Sequence, residues 1–186
     1  MENKFIITLP SSLFPFRHDQ LSHLQYRNYS MLNVFESITD EQREAVMRLW
    51  NRNGLLTDQD AAWQRSSEVC YFITETRTGQ LIGVNTLYPG KIVASGPTLF
   101  LNRMFIDPQH RNSRLSIIAT GMMLCFAKTA LSDRGILGVG NVNENSKLSR
   151  PGMRKIFTRW GYQFKGTLSG QDVWRFDFDR ISIQTN

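Results

Sequence analysis

Several things are scarce in this sequence, and each scarcity excludes a class. Only two of the 186 residues are cysteine, Cys70 and Cys125. Both sit among apolar neighbours and form no framework of bridges, which makes a reducing compartment the default. The three histidines, His18, His23 and His110, are isolated from one another, and no Cys/His/Asp spacing suggests a metal site. Six prolines and 13 glycines, without repeat or low-complexity tract, exclude collagen-like and linker-like chains. Long apolar runs are missing too. The most apolar stretch, Leu115 to Leu131, contains Ser116, Thr120, Lys128 and Thr129 and is short for a membrane span. The opening MENKFIITLPSSLFPF has no basic region followed by a sustained apolar core, so a cytoplasmic location is expected.

What is present suits a globular domain. A hydrophobic fraction of 41% at this length lets the chain bury roughly two-thirds of its unfolded surface. The net charge is +6, and the basic residues are mostly Arg, 16 against 6 Lys. Arginine's planar fork of donors suits phosphate and carboxylate, which points to an anionic partner. No base-stacking motif or recognition helix accompanies the charge, so nucleic acid is not favoured.

The periodicity alternates between helix and strand. Residues 1–28 are the least legible part and read as an N-terminal extension, with a helix expected somewhere between Phe16 and Tyr26. Residues 29–186 read as a single domain. Tyr29 to Phe35 reads as a strand. Thr39-Asp40-Glu41-Gln42 has capping-box form ahead of a helix that Gly54 stops. Asp58 to Ser67 predicts a second helix. Val69 to Thr74 and Gln80 to Leu87 predict a hairpin turning at Thr76-Arg77-Thr78-Gly79. A strand from Thr98 to Ile106 ends at Asp107-Pro108 and precedes the apolar helix. Ile136 to Gly140 predicts the next strand. Ser149 with Pro151 predicts a capped helix to about Trp160, and a final pair of strands closes the order. This is an α/β mixture with a mostly antiparallel sheet and one parallel pair around the central helix.

Chemistry concentrates where the Thr98–Ile106 strand meets the apolar helix. Unpaired amides at a helix start, with the helix dipole, attract anions. The same few residues supply Arg111, Asn112, Ser113, Arg114 and Ser116, so backbone N–H groups, hydroxyls and guanidiniums converge on one loop. A pyrophosphate would fit such a set.

The run Ile106-x-Pro108-x-x-Arg111-x-x-Arg114-x-Ser116 resembles the acyl-coenzyme A loop of the GNAT superfamily of N-acyltransferases. That loop has a hydrophobic residue, x, Pro, x, x, Arg, then glycines at the fourth and sixth places counted from the Arg. Leu81-Ile82-Gly83-Val84 resembles the family's central strand. Ile156-Phe157-Thr158-Arg159-Trp160-Gly161-Tyr162 resembles its later helix, which ends Leu-Tyr-x-x-x-Gly-Phe. The three stretches occur in the family's order across roughly residues 30–168.

The resemblance implies a GNAT-like sheet with a V-shaped splay between two central parallel strands, and acetyl-CoA or another acyl-CoA lying in it as acyl donor, without a metal. Met104, Phe105 and Ile106 would pair with the pantetheine arm. Arg111, Asn112, Ser113, Arg114, Leu115 and Ser116 would hold the pyrophosphate. Asn143 would lie beside the pantetheine and Phe157 beside the sulfur. The acceptor would be a small-molecule or peptide amine. Both loop glycines are replaced here, by Arg114 and Ser116, and the family's usual Tyr acid is Phe157, which has no proton to give. Asn102 is the polar residue on the preceding strand and cannot act as a base; Glu144 could, through a water. Asn102-Arg103-Met104-Phe105-Ile106-Asp107 is faintly similar to a stretch of acyl-homoserine-lactone synthases. The alternative is therefore an acyl-carrier-protein-dependent enzyme, for which Arg150, Arg154, Lys155 and Arg159 would form a basic docking face. A non-catalytic coenzyme A-binding module is the third reading.

Overall fold

The computed structural model describes residues 7–9, 18–56, 58–143 and 146–183, with side chains over 19–56, 58–111, 114–143 and 146–180. The strands are β1 (Ile7–Leu9), β2 (His23–Tyr26), β3 (Tyr29–Asn33), β4 (Val69–Glu75), β5 (Leu81–Gly90), β6 (Leu99–Ile106), β7 (Gly138–Val142), β8 (Gln163–Leu168), β9 (Gln171–Asp177) and β10 (Ile181–Ile183). The α-helices are α1 (Asp40–Arg52), α2 (Gln59–Ser66), α3 (Leu115–Ala130) and α4 (Pro151–Arg159). Strands β2 to β9 hydrogen-bond in the order β2-β3-β4-β5-β6-β7-β9-β8, and β1 and β10 form a separate parallel pair. The pairs β2–β3, β3–β4, β4–β5, β7–β9 and β8–β9 are antiparallel. Strands β6 and β7 run parallel. Their ladder comprises only Phe100↔Val139 and Leu101↔Gly140, although β6 continues to Ile106 and β7 to Val142. This mixed sheet with a short parallel ladder matches the expected fold class.

The chain divides into two compact units. The first, the loop unit, comprises His18–Leu87 and Arg103–Met123. Its core gathers Val34, Val46, Leu49, Trp50, Ala62, Val69, Phe72 and Val84. The capping box forms as the sequence predicts: the Gln42 amide donates to Thr39 Oγ1 at 3.3 Å, and the Thr39 amide donates to Gln42 Oε1 at 2.9 Å. Arg43 ties α1 to the end of α2. Its Nε donates to Ser66 Oγ at 3.0 Å, its Nη2 donates to the Trp63 carbonyl at 2.7 Å, and its Cζ lies 3.7 Å from the Trp63 ring centre. Gly83 on β5 lies where a Cβ would come within 2.8 Å of the Phe105 carbonyl oxygen, so β5 packs closely against the end of β6 only because the residue is glycine.

The second, the aromatic unit, comprises 1–17, 88–102 and 124–186. Phe157 stacks on Trp174, with ring centres 5.1 Å apart and planes 19° from parallel. Tyr162 meets both Phe157 and Phe176 edge-on. Such pairs add to simple burial because ring edges and faces carry opposite partial charge. Gly138 is a second obligatory glycine: a Cβ there would sit 1.9 Å from the Phe176 carbonyl oxygen.

Three expectations need correction. Of the stretch expected to hold a helix, His18–Leu21 forms a short 3₁₀ helix, but His23–Tyr26 is a strand; it turns into β3 through Arg27, which takes a left-handed φ of 54°. An Arg in place of the usual turn glycine gives no hairpin signal. Strand β7 spans Gly138–Val142 rather than Ile136–Gly140, because its ladder to β9 runs from Gly138↔Asp177 to Val142↔Val173 and local pattern cannot show where that partner begins. The N-cap of α4 is Arg150, with no side-chain cap bond, and the Ser149 hydroxyl bonds to Asp172 instead.

Candidate functional site

In the loop unit, β6 ends at Ile106 and the chain enters a 3₁₀ turn, Pro108–Ser113, before α3. Asp107 anchors the junction. Its backbone amide donates to the Ile82 carbonyl at 2.8 Å, its Oδ1 accepts from the Gln109 amide, and its Oδ2 lies 3.5 Å from Arg52 Nη2. Arg52 also donates to the Leu81 carbonyl at 2.7 Å. The last turn of α1 therefore holds both the central strand and the loop entrance. His110 is fixed by its amide on the Asp107 carbonyl and by its Nδ1 against the Tyr29 hydroxyl at 3.2 Å.

Arg111 is exposed and bends back: its Nε donates to the Ile106 carbonyl at 2.8 Å, and its Cζ lies 5.6 Å from the Phe105 ring centre. One of its donors thus shapes the strand end. Arg114 adopts the left-handed conformation, φ 60° and ψ 9°. It occupies the place of the first loop glycine of the resembled family, so the backbone keeps a conformation suited to glycine without the residue that adopts it freely. The Arg114 carbonyl accepts from the Ile117 and Ile118 amides and starts α3. Leu115 is buried; Arg114 and Ser116 are exposed. The first amides of α3 have no carbonyl of their own helix to bond. A left-handed turn leads into them, flanked by two exposed arginines, a set of donors able to hold an anion. Met104 and Phe105 are half-buried and Ile106 is buried on the approaching strand. Asn112 and Ser113 lie within the 3₁₀ turn.

Glu68, just before β4, is a half-buried carboxylate. Partial burial raises its pKa, against the pull of Arg103 and Arg65.

In the aromatic unit, register partners share a sheet face, and alternate residues along a strand share it too. Phe100 opposes Val139 and Asn141 opposes Trp174. Asn102, Asn141, Asn143 and Trp174 therefore lie on one face, the face where α4 places Phe157 against Trp174. Two of the expected residues, Asn102 and Asn143, are buried here, and Phe157 is buried as well. Asn141 Nδ2 reaches the Asn102 carbonyl at 3.5 Å, and Asn143 Nδ2 reaches the Leu148 carbonyl at 3.4 Å. The Asn143 amide donates to the Asp172 carbonyl at 2.9 Å. Asn141 and Trp174 were not picked out as site residues. The available signal was the pair of polar residues two apart, Asn141 and Asn143, on the inward face of a strand.

Asp172 is buried and receives two bonds from Arg154, Nε to Oδ2 at 2.8 Å and Nη2 to Oδ1 at 2.7 Å. These bonds hold its carboxyl below the usual carboxylate range. Arg154 is thus committed to its own unit, which takes one member from the proposed basic face of Arg150, Lys155 and Arg159. Burial pushes the Cys125 thiol up to about 12 and the Cys70 thiol well above its ordinary value, so neither offers a thiolate. Burial also raises the Tyr162 phenol, which stays protonated. Glu144 lies outside the described residues. Among the described residues no group of His, Cys, Asp or Glu could hold a metal ion, and no helix is long and apolar enough to cross a membrane.

No family model matches the chain, and no curated protein does. Solved structures do match. A protein described as a GnaT-family acetyltransferase of Bordetella pertussis aligns with TM-score 0.56 at 16% identity, over 82% of this chain and 98% of that one. A GNAT-family acetyltransferase of Listeria monocytogenes aligns with TM-score 0.53 at 15% identity, over 83% and 99%. The ribosomal-protein-S5-alanine acetyltransferase of Vibrio fischeri aligns with TM-score 0.54 at 9% identity, over 82% and 94%. The chain has the fold of the GNAT-family acetyltransferases.

Proposed function

We propose that this chain is an N-acyltransferase that moves an acetyl or other short acyl group from acyl-CoA to an amine. The observation that carries the reading is the loop after β6. Arg114 holds a glycine-like left-handed backbone at the head of α3, with Arg111 folded onto the strand end. A loop that needed no close backbone approach would have little reason to keep a conformation that costs an arginine about 1 kcal/mol. The fold of the matched acetyltransferases agrees with this use of the loop.

An acyl thioester supplies an activated carbonyl. The loop residues of this chain bind its diphosphate: Arg111 and Arg114 offer charge, and the first amides of α3 offer N–H groups and the positive end of the helix dipole. Backbone amides of Met104 to Ile106 are the donors available to an oxygen that gains negative charge. The attacking amine must be neutral, its nitrogen forms the C–N bond as the C–S bond breaks, and its surplus proton must leave. Glu144 is the carboxylate suited to accept that proton, through water. With Phe157 in place of a tyrosine, the thiolate departs without a protein acid; a thiol pKa near 8.5 permits this.

The test is calorimetric. Acetyl-CoA should bind the whole chain and raise its melting temperature, by about 2.7 kcal/mol of stabilisation at a hundredfold excess over Kd. Free CoA should do the same, and binding should weaken with salt. Thiol release should then appear with some amine. No shift with acetyl-CoA, longer acyl-CoAs or CoA would overturn the reading. A shift without thiol release from any amine would mark a binding module.

A further inference from the structure

Among the described residues, the aromatic unit buries four side-chain nitrogen and oxygen atoms without a hydrogen-bond partner; Arg175 Nε is met by the Asp177 carboxylate as an ion pair, which leaves three, Asn141 Oδ1, Asn143 Oδ1 and Trp174 Nε1. Asn143 and Trp174 are each 2% exposed. Native structures rarely leave such atoms unmet, so the set points to something that meets them. The two carboxamides cannot turn round to help themselves. The Nδ2 of Asn141 faces the Asn102 carbonyl and that of Asn143 faces the Leu148 carbonyl, so a flip would set oxygen against oxygen in both. The indole is equally fixed, between Phe157 at 5.1 Å and Phe164 at 5.3 Å, centre to centre. The set therefore presents two rigid acceptors and one rigid donor on one sheet face. It stands where the β6–β7 ladder has already ended at Leu101↔Gly140.

We infer that these three atoms read a planar amide on the acyl acceptor, so that the acceptor is an amino-acid amide or a peptide amine rather than a plain alkylamine. An amide gives N–H to carbonyl oxygens and takes N–H on its own oxygen, which meets both kinds of group. An ammonium would meet the two oxygens but bring positive charge to an indole N–H that it cannot accept. A site built for a hydrogen-bonding group rejects the analogue that lacks it, because its own buried groups are then left unpaired. The inference rests on the acyltransferase reading for the role of the amide, and on the unit's own geometry for its binding.

Two measurements test it on the whole chain. In a ¹⁵N-labelled sample, the Trp174 indole N–H signal, assigned through Trp174→Phe, should move on titration with glycinamide and stay still with n-propylamine. In steady-state thiol release from acetyl-CoA, the kcat/KM ratio of glycinamide to n-propylamine should fall about tenfold in Trp174→Phe and in Asn141→Leu, with the acetyl-CoA KM unchanged. The difference in basicity of the two amines cancels in that comparison. An indole that ignores glycinamide, with unchanged ratios, would mean that the three atoms hold a structural water only. A raised acetyl-CoA KM with an unchanged ratio would assign the amide to the donor's own pantetheine arm. Either result overturns the inference. If no amine releases thiol and acetyl-CoA does not bind, the acyltransferase reading fails, and the indole titration alone decides whether an amide binds.

Discussion

Arg154 grips Asp172 side-on, two parallel hydrogen bonds of 2.8 and 2.7 Å joining α4 to β9. The same Asp172 takes the Asn143 amide on its backbone carbonyl, so the ion pair positions the asparagine at the end of β7. The carboxyl is titrated below its ordinary value of 3.8, chiefly by the Arg154 hydrogen bonds. A depressed folded-state pKa contributes stability that is complete above the unfolded value and is lost as pH falls through the folded one. The urea midpoint of the wild type should therefore exceed that of Asp172→Asn by a constant margin above about pH 5, and the margin should shrink as pH drops below 3.8. Arg154→Lys should lower the midpoint as well, because an ammonium cannot reproduce the two-bond fork.

Arg114 sets a sharper test of the loop. Arg114→Ala and Arg114→Gly both remove the guanidinium, but only glycine occupies φ 60° without strain. The glycine variant should be more stable than the alanine variant by about 1 kcal/mol, part of the strain relief being offset by the freer unfolded chain. Both should bind acetyl-CoA more weakly than wild type if the side chain covers a phosphate. A glycine variant that binds as well as wild type would assign the role to the backbone alone. Thermal melts and calorimetric titration of the three proteins separate these contributions.

Two glycines should answer alanine in opposite ways. Gly138→Ala puts a methyl 1.9 Å from the Phe176 carbonyl oxygen, a backbone atom that moves only if β7 leaves β9. Loss of more than about 3 kcal/mol, or failure to fold, is expected. Gly152, in the first turn of α4, has nothing within 4 Å of where its Cβ would stand. Gly152→Ala should raise stability by about 0.5–1 kcal/mol, the helix preference of alanine over glycine. Chemical denaturation of the two variants measures both.

The contrast between these glycines marks the limit of what the residues alone disclose. The capping box at Thr39, the helix start at Asp58 and the strand end at Asp107-Pro108 were legible because each rests on local hydrogen bonding or on proline geometry. The start of β7 and the true cap of α4 were not, because each depends on a partner distant in sequence; the Arg27 turn was not, because an arginine stands where a glycine would mark the hairpin. In the loop, Arg111 and Arg114 could be singled out by type and spacing. The backbone conformation of Arg114 and the return of Arg111 Nε to Ile106 could not. Asn141 and Trp174 escaped notice for the same reason: an orphaned carbonyl or indole N–H becomes visible only when every neighbour has a place.

The cysteines carry a consequence for any thiol-release assay. Cys70 on β4 and Cys125 on α3 are buried, and burial holds both thiols protonated, Cys125 at about 12. At pH 8 a thiol with that pKa is ionised in about one molecule in ten thousand, and the thiolate is the reactive form. The folded chain should therefore react negligibly with a disulfide reagent on the timescale of an enzyme assay and should release two equivalents in denaturant. Fast reaction of one thiol in the folded state would show that its unit opens. The mass of the labelled peptide would then tell Cys70 of the loop unit from Cys125 of the aromatic unit.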